Sequence, residues 1–303
     1  MKPLLKWVGG KTQILDTVVD TFPTTIKDYY EPFLGGSSVL IEVLERIHTG
    51  RIILTGTLYA SDFNERLIWF YKNIQSHPED VIAKLKTITD GYIACSGNVV
   101  NRKPSDETEA TTSKESYYYW IRKRYNTMTD ISSSECSAML LFINKTCFRG
   151  MYREGPNGFN IPYGNYKNPG IATDDAIRSM SSLYAGVVFS HGSFEHTLEN
   201  CTTGDFVYMD PPYAPEKKES FVGYTANGFD IDTHRLLFAL CTKFKNQSVG
   251  FTMSNADTDL LRDNFDSREY DIRVISCRRA IHSKNPGSKT NELLIVSVPN
   301  PIE

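Results

Sequence analysis

Nowhere in this 303-residue sequence do apolar residues run for the roughly 18 consecutive positions that a membrane-spanning helix needs. The start, Met1-Lys2-Pro3-Leu4-Leu5-Lys6-Trp7, lacks the apolar core of a secretory leader, so a cytoplasmic protein is expected. Cysteine is sparse and dispersed. None of the six (Cys95, Cys136, Cys147, Cys201, Cys241, Cys277) stands in a Cys-x-x-Cys pair, which argues against a zinc or dithiol site and for reduced thiols. An excess of one charge is also missing: a net charge of -3 gives no global pull towards nucleic acid. Internal repeats and coiled-coil heptads are absent, which excludes solenoid and fibrous architectures.

What is present is enough for a large core. The chain is 40% apolar and 23% charged, with 16 Phe, 17 Tyr and 3 Trp, which excludes wholesale disorder. At this length a single core approaches its limit, so one domain with a sizeable insertion, giving two lobes, is expected. Charge is uneven along it. From Lys114 to Asn168 eight basic residues (Lys114, Arg122, Lys123, Arg124, Lys145, Arg149, Arg153, Lys167) face four acids, and Arg273 to Lys289 holds five basic residues and no acid. Local basic runs of this kind can line a nucleic-acid groove on a chain of neutral balance.

Short β-rich runs alternate with amphipathic segments, the pattern of a parallel sheet with crossover helices. Strands are predicted at Tyr30 to Phe33, Leu58 to Ser61, Val187 to Phe189, Phe206 to Met209, Val249 to Met253, Tyr270 to Ser276 and Leu293 to Val298. Between them, Ser38 to Ile47, Asn64 to Ile74 and Thr233 to Phe244 carry helical spacing. The last two strands have no helix between them and are expected to pair antiparallel at the sheet edge. The alternation breaks from about Gln75 to Ile177, which reads as an inserted lobe. Helices are predicted there over Pro78 to Ile88 and Lys114 to Tyr125. Asn144 to Pro169, dense in Gly, Asn, Pro, Arg and aromatics, reads as a hairpin or extended loop.

The strongest chemical signal is Val207-Tyr208-Met209-Asp210-Pro211-Pro212-Tyr213, a buried strand ending in an acid, two prolines and an aromatic ring. Ligands of open α/β sheets bind beyond the carboxyl ends of the strands. The prolines stiffen the backbone and remove donors, leaving the Pro211 carbonyl as an acceptor beside the Asp210 carboxylate. Two acceptors suit an amino group, and a flat ring suits a planar aminated heterocycle of the kind an enzyme extrudes from a duplex. A second signal is Glu31-Pro32-Phe33-Leu34-Gly35-Gly36-Ser37-Ser38, a strand running through a glycine turn into a helix, where backbone can approach a cofactor. It lacks the G-x-G-x-x-G spacing of dinucleotide binders. Asp62, ending the next strand, is placed to hold a ribose hydroxyl pair, with helix capping as the alternative. Lys6-Trp7-Val8-Gly9-Gly10-Lys11-Thr12 is not a phosphate loop, because Leu5 stands where its first glycine is needed and no strand precedes it. Its glycines can instead fold the chain over a ligand that Trp7 and Lys11 reach.

In this order, these motifs resemble the Dam-type DNA adenine-N6 methyltransferases, the D12 or alpha-ordered class. The resemblance covers most of the chain. Lys6 to Lys11 is similar to the N-terminal cofactor motif, Glu31 to Gly36 to the cofactor glycine loop, Ser61-Asp62-Phe63-Asn64 to the ribose motif, and Asp210 to Tyr213 to the catalytic tetrapeptide. Tyr224 to Phe229, Met253 to Thr258 and Asn291 to Ile295 match further motifs, and Asn144 to Arg153 with Phe159 to Lys167 resembles the family's DNA-reading hairpin. The resemblance implies a seven-stranded, mostly parallel, Rossmann-like methyltransferase sheet of α/β class. It also implies an inserted, mainly helical target-recognition domain carrying a β-hairpin. The catalytic domain would comprise residues 1–76 and 170–303, and the target-recognition domain 77–169.

It further implies S-adenosylmethionine as methyl donor, S-adenosylhomocysteine as product, double-stranded DNA as partner, a monomer with no obligate protein partner, and no metal. Cofactor contacts would come from Trp7, Lys11, Gly35, Gly36, Asp62, Phe194 and Asp210. Asp210 and the Pro211 carbonyl would accept hydrogen bonds from the adenine amino group, with Pro212 stiffening the turn and Tyr213 stacking on the flipped base. Phe148, Arg149, Met151, Arg153, Pro162 and Lys167 would meet DNA, Arg153 at a guanine edge and Phe148 and Met151 as wedges. The basic run from Arg273 would grip phosphates. The chain departs from the family twice: Arg149 stands where Asn is usual, which bears on reading of the GATC site, and Ser193 replaces the acid before Phe194. A cytosine-N4 methyltransferase and a non-catalytic DNA-binding protein are the alternatives; Asp rather than Ser at 210 argues against the first, and the intact tetrapeptide against the second. No Pro-Cys dipeptide of the cytosine-C5 type occurs. A restriction endonuclease is disfavoured because no Asp with a nearby Glu-x-Lys cluster accompanies the basic lobe.

Overall fold

The computed structural model describes residues 1–214, 229–278 and 289–297. Tyr224 to Gly228 of one family-like motif, and Arg279 and Lys284 of the second basic run, lie outside them. Seven runs form one sheet: β1 (Tyr29–Glu31), β2 (Leu58–Asp62), β3 (Val187–His191), β4 (Phe206–Met209), β5 (Gly250–Ala256), β6 (Asp271–Arg278) and β7 (Lys289–Ser297). Their order is β6-β7-β5-β4-β1-β2-β3. Strands β1 to β5 run parallel, while β7 is antiparallel to both β5 and β6. The strand order reverses between β1 and β4, which makes their carboxyl ends the switch point where open α/β sheets bind ligands. Glu31 ends β1 and Asp210 follows β4 directly.

Burial explains why the sequence reads this way. All four β4 residues are buried, so β4 is a continuous apolar run rather than an alternating one. On one face the helix Ile231–Asn246 packs Leu237, Phe238, Cys241 and Phe244 into the core that holds Val207, Met209, Phe251 and Met253. On the other, Phe22 meets Tyr29, Phe206 and Tyr208, and the Thr21 and Thr252 hydroxyls bond at 2.7 Å. Each fully buried large side chain contributes roughly 1.5–3 kcal/mol.

The chain divides into two compact units. One, Lys11–Leu34, Glu42–Phe63 and Gly186–Glu303, carries the sheet; the other comprises Met1–Gly10, Gly35–Ile41 and Asn64–Ala185. In the second, the helices Glu65–Ser76, Pro78–Ala94 and Lys114–Thr127 surround Ser134–Thr146. Periodicity predicts the second and third of these surrounding helices, and places a helix over Asn64 to Ile74. It does not predict Ser134–Thr146, because Ala138 to Ile143 are all buried and the helix has no polar stripe to mark its period. The helix Asp174–Leu183, capped by Thr173, is likewise an addition to the sequence reading. Beyond Thr146 the chain makes a short turn and then a two-stranded hairpin, Glu154–Gly155 against Gly158–Phe159. Among the described residues, no helix is long and apolar enough to cross a membrane.

Candidate active site

Proline at 211 and 212 ends β4, and the side chains around that stop are tied together. The Asp210 carboxylate accepts from Ser254 Oγ at 2.8 Å on one oxygen and pairs with Lys11 Nζ at 2.8 Å on the other. Lys11 is only 4% exposed, so its charge is held away from water. Its ammonium also donates to the Tyr213 hydroxyl at 2.8 Å, which donates to Glu292 Oε2 at 2.7 Å. Burial, then the charges of Asp210 and Glu292, push the Tyr213 phenol far above its ordinary pKa, so it stays a hydrogen-bond donor. The Pro212 carbonyl lies 3.1 Å from His234 Nε2, and Ala214 N–H donates to Asn255 Oδ1 at 2.9 Å. Among the described residues, no group donates to the Pro211 carbonyl. That oxygen and the adjacent carboxylate make an acceptor pair on a backbone fixed from both sides.

Sequence reasoning singled out Lys11, Asp210 and Tyr213, and the fold brings them together. It assigned no role to Glu292, Ser254, His234 or Asn255, which come from β5, β7 and a helix far along the chain. Asp62 ends β2, and the cap of the following helix is Asn64, whose Oδ1 accepts from Leu67 N–H at 3.1 Å; capping is therefore not the role of Asp62. Phe63, which the sequence reading places in the ribose motif, has no role of its own there. At 77% exposure it stands directly after Asp62, and its position past a buried strand was the available signal. Phe194 is buried against Phe33 and Phe229, and Ser193 caps its short helix. Arg273 pairs with Asp271 on its own strand, so the first member of that basic run is already partnered.

In the other unit, Trp7 explains the two glycines. A side chain at Gly35 or Gly36 would place its Cβ 2.9 or 2.8 Å from Trp7 atoms, and Gly35 has φ +47. Trp7 also stacks on Tyr152, with ring centroids 4.8 Å apart. The hairpin region is clamped by side chains to which the sequence reading gave no such part. Asn126 bonds both the N–H and the carbonyl of Phe159, and Tyr118 and Arg122 donate to the Ile161 carbonyl. Phe148 N–H donates to the Pro162 carbonyl, and Arg153 Nε is fixed on Asn160 Oδ1 at 2.7 Å. Phe148, Arg149, Arg153, Pro162 and Lys167 are exposed, and Met151 is half-buried. Arg149 has φ 58, a left-handed conformation that costs a non-glycine residue about 1–2 kcal/mol. Its N–H bonds the Tyr166 hydroxyl and its guanidinium lies 5.2 Å from the Phe148 ring centre.

Lys145 ends the central helix without an acidic partner among the described residues. Burial, and then the charge of Lys6, lower its pKa to about 8. The unfolded chain therefore keeps a proton between about pH 8 and 10.5 that the folded chain has released, and stability rises with pH across that window. Lys145→Met is expected to raise the urea midpoint at pH 7 and to flatten this rise, measured by urea unfolding at pH 7 and pH 10.

From residue 7 to 281 the sequence matches the family described as D12 class N6 adenine-specific DNA methyltransferase. The chain belongs to that family. It is 32% identical to the type II methyltransferase M.MjaIII of Methanocaldococcus jannaschii, over 98% of this chain and 99% of that protein. It is 30% identical to the retron Ec67 DNA adenine methylase of Escherichia coli, over 98% and 92%, and 28% identical to the DNA adenine methylase of Haemophilus influenzae, over 97% and 93%. The D12 methyltransferase is thus an adenine-N6 DNA methylating enzyme that draws on S-adenosylmethionine. The donor set fits that cofactor: an acid and an exposed aromatic ring close β2, where a ribose and a planar base can be met by one hydrogen-bonding and one stacking side chain.

Proposed function

We propose that this enzyme methylates adenine N6 within a short duplex site, GATC or a relative of it, after turning the base out of the helix. The observation that carries the reading is the Pro211 carbonyl, to which no group donates among the described residues, next in the chain to an Asp210 carboxylate held by Ser254 and Lys11. An exocyclic amine has two N–H groups, and these two oxygens accept one each. Accepting both draws electron density back onto a nitrogen whose lone pair is otherwise delocalised into the ring. Tyr213 supports the base by stacking. When bound, S-adenosylmethionine supplies an electrophilic methyl group and leaves as S-adenosylhomocysteine. Asp62 takes its ribose hydroxyls, Phe63 and Phe194 flank its adenine, and Trp7, Lys11, Gly35 and Gly36 complete the expected contacts. No covalent enzyme intermediate is needed, because the amine attacks the methyl carbon directly.

Residues 77–169 serve as the DNA-reading part, and 1–76 with 170–303 as the catalytic part, acting as a monomer in the cytoplasm. Arg153, its Nε fixed on Asn160, offers its remaining donors to a guanine edge, a contact worth about 1–3 kcal/mol of discrimination. Phe148 and Met151 act as wedges, Arg149 bears on the reading of the site, and Pro162 and Lys167 border the backbone. Transfer of labelled methyl to unmethylated duplex DNA, followed by single-molecule sequencing of the product, tests the reading. Modified adenines confined to GATC are expected. Modified adenines at another motif would move the specificity and point to Arg149, and absence of modified adenine would overturn the reading.

A further inference from the structure

The side chain that orders the tetrapeptide ring comes from the far end of the chain. In β7, Glu292 lies opposite Ala256 of β5, two residues after Ser254, so Ser254 and Glu292 project from the same face of the sheet. One reaches Asp210 and the other Tyr213. The Tyr213 hydroxyl is therefore held from two sides, receiving a hydrogen bond from Lys11 at 2.8 Å and giving one to Glu292 at 2.7 Å. Lys11 Nζ also lies 3.9 Å from Glu292, so this ammonium faces two carboxylates, those of Asp210 and Glu292. With Asp210 alone, a buried ammonium at 2.8 Å would largely neutralise the acceptor that the adenine amine needs. A second carboxylate shares that cation and returns the cluster to a net negative charge, which suits a nitrogen gaining positive charge as it attacks.

We propose that Glu292 is a positioning residue for methyl transfer: it fixes the plane of the Tyr213 ring through the hydroxyl and holds part of the Lys11 charge away from Asp210. This rests on the reading of Asp210 to Tyr213 as the adenine site. Glu292 bonds the Tyr213 hydroxyl and lies near Lys11, so its removal is expected to act on the chemical step rather than on DNA binding.

The test is a double-mutant cycle in the full-length enzyme, read by single-turnover methyl transfer at saturating S-adenosylmethionine and duplex DNA. Glu292→Gln is expected to lower the rate about tenfold or more and to leave the Kd for DNA within about twofold. Tyr213→Phe removes the hydroxyl that links the two residues, so the double variant is expected to lose much less than the product of the single losses. Glu292→Asp, a gentler change that keeps the charge, is expected to slow the wild type and to have little effect in the Tyr213→Phe background. Losses that multiply, an equal Glu292→Asp effect in both backgrounds, or a Glu292→Gln rate within about twofold of wild type would overturn the inference. Asp210→Ala is run alongside: if it too leaves the rate unchanged, the adenine-site reading itself fails, whereas an inactive Asp210→Ala beside a fully active Glu292→Gln removes Glu292 alone.

Discussion

Asp210→Ala is expected to lower methyl transfer at least about a hundredfold while leaving duplex binding nearly unchanged. The carboxylate is the one acceptor in the tetrapeptide whose side chain is held by partners on both oxygens, Ser254 and Lys11. Removing it leaves the Pro211 carbonyl to accept alone, and an amine held at one N–H keeps its lone pair in the ring. The side chains proposed to read DNA belong to the segment from Phe148 to Lys167, so affinity for duplex is not expected to follow the rate. Single-turnover incorporation of labelled methyl, beside a mobility-shift titration of the same duplex, separates the two. A fully active variant would refute the catalytic role of Asp210.

Lys11→Met is expected to cost about 3 kcal/mol of stability as well as activity. The ammonium is 4% exposed and lies within 4 Å of both carboxylates. Methionine fills a similar volume but leaves Asp210 and Glu292 facing each other without a cation. The carboxylates are 20% and 15% exposed, so some water reaches them and the loss falls at the lower end of the range for a broken buried pair. Because like-charge repulsion is part of the cost, Glu292→Gln added to Lys11→Met is expected to recover some of it. Urea unfolding of the two variants checks this; a Lys11→Met midpoint equal to wild type would mean that the pair contributes nothing to the fold.

Much of the sheet was legible because its central strands, such as Tyr29–Glu31 and Phe206–Met209, are short and buried. The helix Asn64 to Ile74 was legible because a polar stripe marks its period. Ser134–Thr146 was not, for the opposite reason: it is surrounded by other helices, and its middle, Ala138 to Ile143, is an unbroken buried apolar run that carries no period to read. The glycine pair was read as room for a cofactor. In the structure the indole of Trp7 occupies the space a side chain there would need.

By itself the sequence determined the class of chemistry. Asp-Pro-Pro-Tyr after a buried strand is a local object, with its acceptors, its rigidity and its ring encoded in consecutive residues, and the glycine turn and the acid of the second strand are equally local. Only the tertiary structure decided how that chemistry is tuned. The groups that charge, orient and hold the tetrapeptide are Lys11, His234, Ser254 and Glu292, drawn from positions as much as 281 residues apart. Sheet register determines which of them share a face, and register is fixed by the packing of the whole core rather than by neighbours along the chain.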